Sequence, residues 1–294
     1  MRFDLDEQQR DFAASIDAAL AAADLPGAVR AWAAGDTGPG RKVWARLADL
    51  GVTALAVPER FDGVDAHPVD LVVAFERLGR WCVPGPVTES IAVAPLLLAE
   101  DQRCAALATG ELIATVALRP QVPRATDADT AGLTLLADPD GTVREAWQAD
   151  VARAYEFGAL ATAAQLVGAG QALLDAAVDY AKQRAQFGRV IGSYQAIKHK
   201  LADVHIALEL TRPLVYGAAL SLADRSPDTA RDVSAAKASA SDAALLAARS
   251  ALQTHGAIGF TAEHDLSLWL LRVQALRSAW GDPATHRRRV LEAL

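Results

Sequence analysis

The chain predicts a mainly α fold: an N-terminal helical domain over 1–100, a reduced β insert over 101–150 and a C-terminal four-helix bundle over 151–294. Three observations lead there. The 52% hydrophobic content includes only 6% aromatic residues, so the apolar side chains are chiefly Ala and Leu, which favour helix over sheet. Apolar residues recur at helical spacing over roughly 150–185, 193–224, 229–256 and 264–278. Strand-like sequence is confined to one short region.

Taken in order, Asp4-x-x-Glu7 has the pattern of a capping box and opens a helix with Phe12, Ile16 and Leu20 on its apolar face. Pro26 suits the first turn of a second helix. Gly35 to Gly40 reads as a loop, Lys42 to Leu50 as a helix ended by Gly51, and Pro58 to Pro68 as a turn-rich connection. Val69 to Arg80 and Thr88 to Glu100 close the domain as helices. Leu112 to Leu118 and Leu133 to Leu136 are the strand candidates, and Asp138-Pro139-Asp140-Gly141 is a turn signal. A helix of about 35 residues rises roughly 50 Å, so the segments after Asp150 can form a long antiparallel bundle. Ala236, Ala240, Ala243, Ala244 and Ala247 make a small-residue face that suits either the bundle interior or a second subunit.

Composition excludes several classes. A net charge of −7 argues against nonspecific nucleic-acid binding. Arg287-Arg288-Arg289 fits a helix C-terminus better than a phosphate site. Cys82 and Cys104 support neither a disulfide framework nor a metal site. His199, Asp203 and His205 share a helix but not a face, so no metal is expected there. The acidic N-terminus is unlike a signal peptide, and no apolar run is read as long enough to span a bilayer, so a cytoplasmic chain is expected.

Residues 180–203 organise the rest. They read as the end of one helix, a corner bracketed by Gly188 and Gly192, and the start of another with Ser193 as N-cap. Arg184, Gln186 and Phe187 gather a fixed charge, an amide and an aromatic face at that corner, a set suited to a planar cofactor carrying phosphates or to a simple helical hairpin. The order Arg184-x-Gln186-Phe187-Gly188-x-x-Ile191-Gly192-x-Tyr194-Gln195-x-x-x-His199-x-Leu201-Ala202-Asp203 resembles the hallmark segment of the acyl-CoA dehydrogenase family. Downstream, Gln253-Thr254-His255-Gly256-Ala257-Ile258-Gly259-Phe260 is similar to that family's glycine loop, with Ala257 where a second glycine is usual. Leu50-Gly51, Val57-Pro58-Glu59 and Ala74 to Arg80 resemble it more loosely. The whole is most similar to the short, catalytically doubtful subunit of heteromeric actinobacterial-type members.

The resemblance implies FAD, an acyl-CoA thioester substrate and 2,3-desaturation. It implies a cofactor lying across a subunit interface. Arg184 would bind the pyrophosphate, Phe187 and Gln195 the adenosine side, with Gln186 beside them. Gln253 and the amides around Gly256, Ala257 and Gly259 would hold the other end. The family's catalytic Glu takes one of two positions, which here are Trp280 and Gly158. A Trp there would also fill space that the substrate needs. Glu156 and Asp282 lie two residues from those positions, and Asp282 reads more simply as part of a turn that opens a last helix. His255 suits either cofactor contact or core packing, while Glu263 and His264 suit a cap. The catalytic residue is therefore left unassigned. Three functions stay open: a partner-dependent subunit, a self-sufficient homodimer, or a nonenzymatic helical interaction protein.

Overall fold

A computed structural model describes residues 5–98, 101–118, 122, 126–127, 129–137 and 150–294. Its helices are α1 (Glu7–Ala21), α2 (Leu25–Ala33), α3 (Gly38–Asp49), α4 (Pro68–Arg80), α5 (Ala94–Leu98) and α6 (Arg103–Ala108). Strands β1 (Ala114–Leu118) and β2 (Leu133–Ala137) follow. Then come α7 (Val151–Gln183), the short strands β3 (Ala185–Gln186) and β4 (Arg189–Val190), α8 (Gln195–Ala223), α9 (Thr229–His255), α10 (Leu266–Ser278) and α11 (Pro283–Glu292). The expected mainly α fold is the one observed.

Helix α7 is the axis of the molecule. Most of its length is buried on every side, because small residues (Gly158, Ala159, Ala163, Ala164, Gly168, Ala169) let neighbours approach from all directions. Helices α4, α8, α9 and α10 all pack against it. The closest approach is to α4: a Cβ on Gly168 would meet the carbonyl oxygen of Glu76 at 1.9 Å, and one on Gly79 that of Gln165 at 2.1 Å. Two buried polar side chains around this crossing find partners, as burial favours. Gln165 Nε2 donates to Thr88 Oγ1 at 2.6 Å, and Thr162 Oγ1 donates to the Gly158 carbonyl at 2.7 Å. Glu76, also buried, lies 3.2 Å from Arg77 and 3.5 Å from Arg212 of α8.

Several local expectations need correction. The first capping box is built two residues later: Asp6 caps Gln9, and Gln9 answers with its own side chain, while Asp4 lies outside the described residues. Thr88–Val93 winds as a π-helical turn before α5, and α6 forms where the change of composition argued against helix. β1 and β2 pair in parallel, Ala114 opposite Leu133 through Leu118 opposite Ala137. The Asp138–Gly141 turn signal lies outside the described residues. By length and apolar composition α7 and α8 could each cross a bilayer, contrary to the sequence reading, although the apolar window of α7 is 89% buried within the protein. The alanine face of α9 is interior, with Ala236, Ala240 and Ala244 fully buried. The exposed apolar stripe lies instead on α8, where Ile206, Leu210 and Leu214 recur every fourth residue.

Candidate functional site

At the end of α7 the Arg184 amide donates to the Tyr180 carbonyl at 2.9 Å, and the backbone then becomes extended. A two-residue hairpin follows, with Ala185 opposite Val190 and Gln186 opposite Arg189. Its turn residues, Phe187 and Gly188, have φ values of 53° and 79°. Two successive left-handed residues match the twist of a tight antiparallel hairpin. Ser193 Oγ donates back to the Val190 carbonyl at 2.7 Å rather than capping α8, whose first turn starts from Tyr194. Tyr194 Oη donates to the Gln186 carbonyl at 3.2 Å, and the Arg189 guanidinium lies 4.0 Å from the Tyr194 ring centroid. The corner is thus braced by its own side chains.

What it presents is unusual for a surface turn. Phe187 is 91% exposed at the hairpin tip. Arg184, Gln186 and Gln195 are exposed beside it, and Arg184 has no ion pair among the described residues. From Lys182 to Lys200 the chain carries Lys182, Arg184, Arg189, Lys198 and Lys200 and no carboxylate, within a chain of net charge −7. Such a cluster attracts anions.

The second segment is tied to the first through two contacts. His255 is buried and stacks on Tyr180 of α7 with ring centroids 4.3 Å apart, while its Nδ1 donates to the Ala251 carbonyl at 2.8 Å. Burial, the largest influence, holds its imidazole below the usual pKa. Lys200 of α8 donates to Gln253 Oε1, and Gln253 itself is exposed. Gly256 (φ 69°) then turns the chain out of α9, leaving Ala257 exposed and Gly259 buried. His264 accepts from the Leu266 amide at 3.2 Å at the start of α10, a capping role; Glu263 is exposed and makes no such bond. Arg287 and Arg289 pair with Asp242 and Glu156, not with a surface anion.

The base positions hold no carboxylate. Trp280 is 1% exposed, and its ring lies on Gly158, where a Cβ would come within 2.3 Å of Cε3. The two positions are complementary: the indole needs a glycine opposite it. Asp282 is exposed and caps α11, accepting from the Thr285 amide at 2.7 Å; that bond draws its carboxyl below the usual range. It is a weak base by construction. Glu156 is committed to Arg289. The carboxyl nearest the indole is one the sequence reading passed over. Glu89 Oε1 accepts from Trp280 Nε1 at 3.0 Å, and burial, the largest influence, pushes its carboxyl upward. Glu89 stands between Thr88 and Ser90, ahead of the apolar stretch from Ile91, a pattern that does not point to the indole.

The turn carrying Trp280 is held by buried polar groups. Tyr155 Oη and His286 Nε2 donate to the Trp280 carbonyl at 3.2 and 2.8 Å. Lys237 Nζ donates to the carbonyls of Gly281 (3.1 Å), Leu276 (3.1 Å) and Arg277 (3.3 Å). Burial lowers Lys237 to about 7 and His286 to about 4. Both groups bind a proton more weakly in the folded state, so each adds stability as pH rises. For His286 the window runs from about 4 to its ordinary 6.5, and for Lys237 from about 7 to 10.5. Lys237→Met is therefore expected to flatten the rise in stability above pH 7. Urea midpoints across that range measure it, and an unchanged slope would place the titration elsewhere.

Two family models match this architecture: the acyl-CoA dehydrogenase C-terminal domain over residues 149–294 and the N-terminal domain over 6–103. The chain belongs to the acyl-CoA dehydrogenase family. The acyl-CoA dehydrogenase IpdE2 of Mycolicibacterium smegmatis is 30% identical over 295 aligned positions, covering 90% of this chain and 92% of that protein. Among solved structures, a chain of the ChsE4-ChsE5 complex from Mycobacterium tuberculosis superposes with a TM-score of 0.84 at 20% identity, covering 99% and 98% of the two chains. PigA with FAD and proline gives 0.82 at 19% identity, covering 100% and 99%. These last two likenesses concern the fold.

Proposed function

We propose that this acyl-CoA dehydrogenase-family chain is one subunit of an FAD-dependent enzyme that desaturates an acyl-CoA thioester at its 2,3 bond in the cytoplasm. The observation that carries this reading is a braced, exposed cationic corner in a chain whose base positions, far from it along α7, hold Trp280 and Gly158. When bound, FAD supplies the hydride acceptor. This chain's own part is to hold the cofactor: Arg184 faces the pyrophosphate, Phe187 and Gln195 the adenosine side, and Gln186 lies beside them. Gln253, bonded to Lys200, and the backbone of Gly256, Ala257 and Gly259 would hold the other end. The fit rests on a guanidinium with no ion pair among the described residues, an exposed aromatic face and the Gln253 amide bonded to Lys200. A homologous partner supplies the base, the flavin pocket and most of the substrate site. The three-part division at residues 100 and 150 belongs to the same reading.

The test is the flavin absorbance spectrum of the pure chain, expressed alone and with its homologous partner. Yellow protein only on co-expression is the expected result. Stoichiometric FAD on the chain alone would replace the partner reading with a self-sufficient one, and colourless protein in both cases would leave a helical interaction protein.

A further inference from the structure

The loop that carries Gly256, Ala257 and Gly259 is held differently on its two sides. On the inner side Gly259 is buried, and a Cβ there would meet Leu266 at 3.1 Å and both His255 and Leu252 at 3.2 Å. On the outer rim Thr261, Ala262 and Glu263 are exposed. Among the described residues, the hydrogen bonds of 256–265 run within the loop or to the adjoining ends of α9 and α10, with one exception. Arg30, in the last turn of α2, donates from Nη2 to the Ala262 carbonyl at 3.2 Å, and the same nitrogen lies 2.8 Å from Asp265 Oδ1.

Asp265 is left available for this contact by its neighbour. It occupies the N-cap of α10, where an Asp ordinarily accepts from an amide of the first turn, yet its side chain makes no such bond. His264 Nδ1 takes the Leu266 amide instead. On the other side, α2 is a firm anchor. Two residues beyond Arg30, Trp32 is buried, with its ring so close to Gly40 of α3 that a Cβ there would come within 2.4 Å of it.

We propose that Arg30 is a positioning residue for the cofactor loop: a cation from α2 that fixes the outer rim of 256–265 and so sets how tightly the loop backbone holds FAD. The inference rests on the FAD reading above. It gives the N-terminal helices a part in cofactor binding, which Arg30 plays through the loop and not by touching the cofactor. A site carried on a loop is only as exact as the groups that support it. Without the clasp, Gly259 stays wedged between its own helices while the rim is released from α2.

The experiment is FAD titration of the assembled protein carrying Arg30→Ala, with amide exchange and thermal unfolding on the same samples. FAD binding is expected to weaken about threefold to tenfold, the scale of a charged hydrogen bond and a half-exposed ion pair lost together. Exchange should quicken over 257–263, while the unfolding midpoint moves by no more than about 2 °C. Arg30→Lys, which keeps the charge, is expected to recover part of the affinity. Asp265→Ala should weaken binding in the same direction, and the double variant little further. Full affinity in Arg30→Ala beside a loss in Arg184→Ala would overturn the clasp and leave the FAD reading standing; full affinity in both would overturn the two together. A loss that only follows a lowered midpoint, without quickened exchange in the loop, would also overturn it, because Arg30 would then hold the fold and not the loop.

Discussion

Arg184→Ala is expected to weaken FAD binding by the assembled protein about a hundredfold or more, with little change in folding. The guanidinium is exposed at the C-terminal end of α7 and makes no ion pair among the described residues, so its removal strands nothing inside the chain. The loss would fall on the pyrophosphate, which keeps its charge and loses its fixed counter-charge; truncating one member of such a pair commonly costs about 2–5 kcal/mol of affinity. Arg184→Lys is expected to recover only part, because a single ammonium cannot reproduce the planar fork. Flavin titration with unfolding curves on the same samples measures both effects. Unchanged affinity in Arg184→Ala would remove the corner from the cofactor site.

Gly168→Ala is expected to destabilise the chain by about 3 kcal/mol or more, near the upper end for overpacking a core. The added methyl would press on the Glu76 carbonyl and lie within 2.8 Å of the Arg80 amide, both backbone atoms of α4 that no rotamer change can move. Either α4 shifts away from α7 or the crossing opens, and both expose the apolar faces the two helices share. Gly217→Ala on α8 is the control. A Cβ there meets nothing within 4 Å, so the same change should be neutral or stabilising by about 0.5–1 kcal/mol. Urea midpoints that move equally in the two variants would contradict this account of the packing.

The long helices were legible because their evidence is local and repeated. Apolar periodicity placed α7, α8, α9 and α10 within a few residues of their ends, and Pro26 and Gly51 marked boundaries that the fold uses. What escaped depends on contacts between distant segments. The π turn at Thr88–Val93 and the parallel pairing of β1 with β2 leave no periodic trace. Ser193 looked like an N-cap because its type and place were right, but the hairpin drew its hydroxyl to Val190. At the candidate site, the corner residues could be named from their order, whereas Glu89 could not. It reaches Trp280 across 191 positions of sequence, and only the fold reveals that this acid has the indole N–H for a partner.

Helix α7 also acts as a ruler. The 26 residues from Gly158 to Arg184 rise roughly 39 Å along one continuous, closely packed element. The Trp280 seat and the cationic corner are therefore opposite ends of a strut, too far apart to serve one small molecule at once. On the proposed reading, a second chain docked against the corner would bring its own reactive pocket to that end.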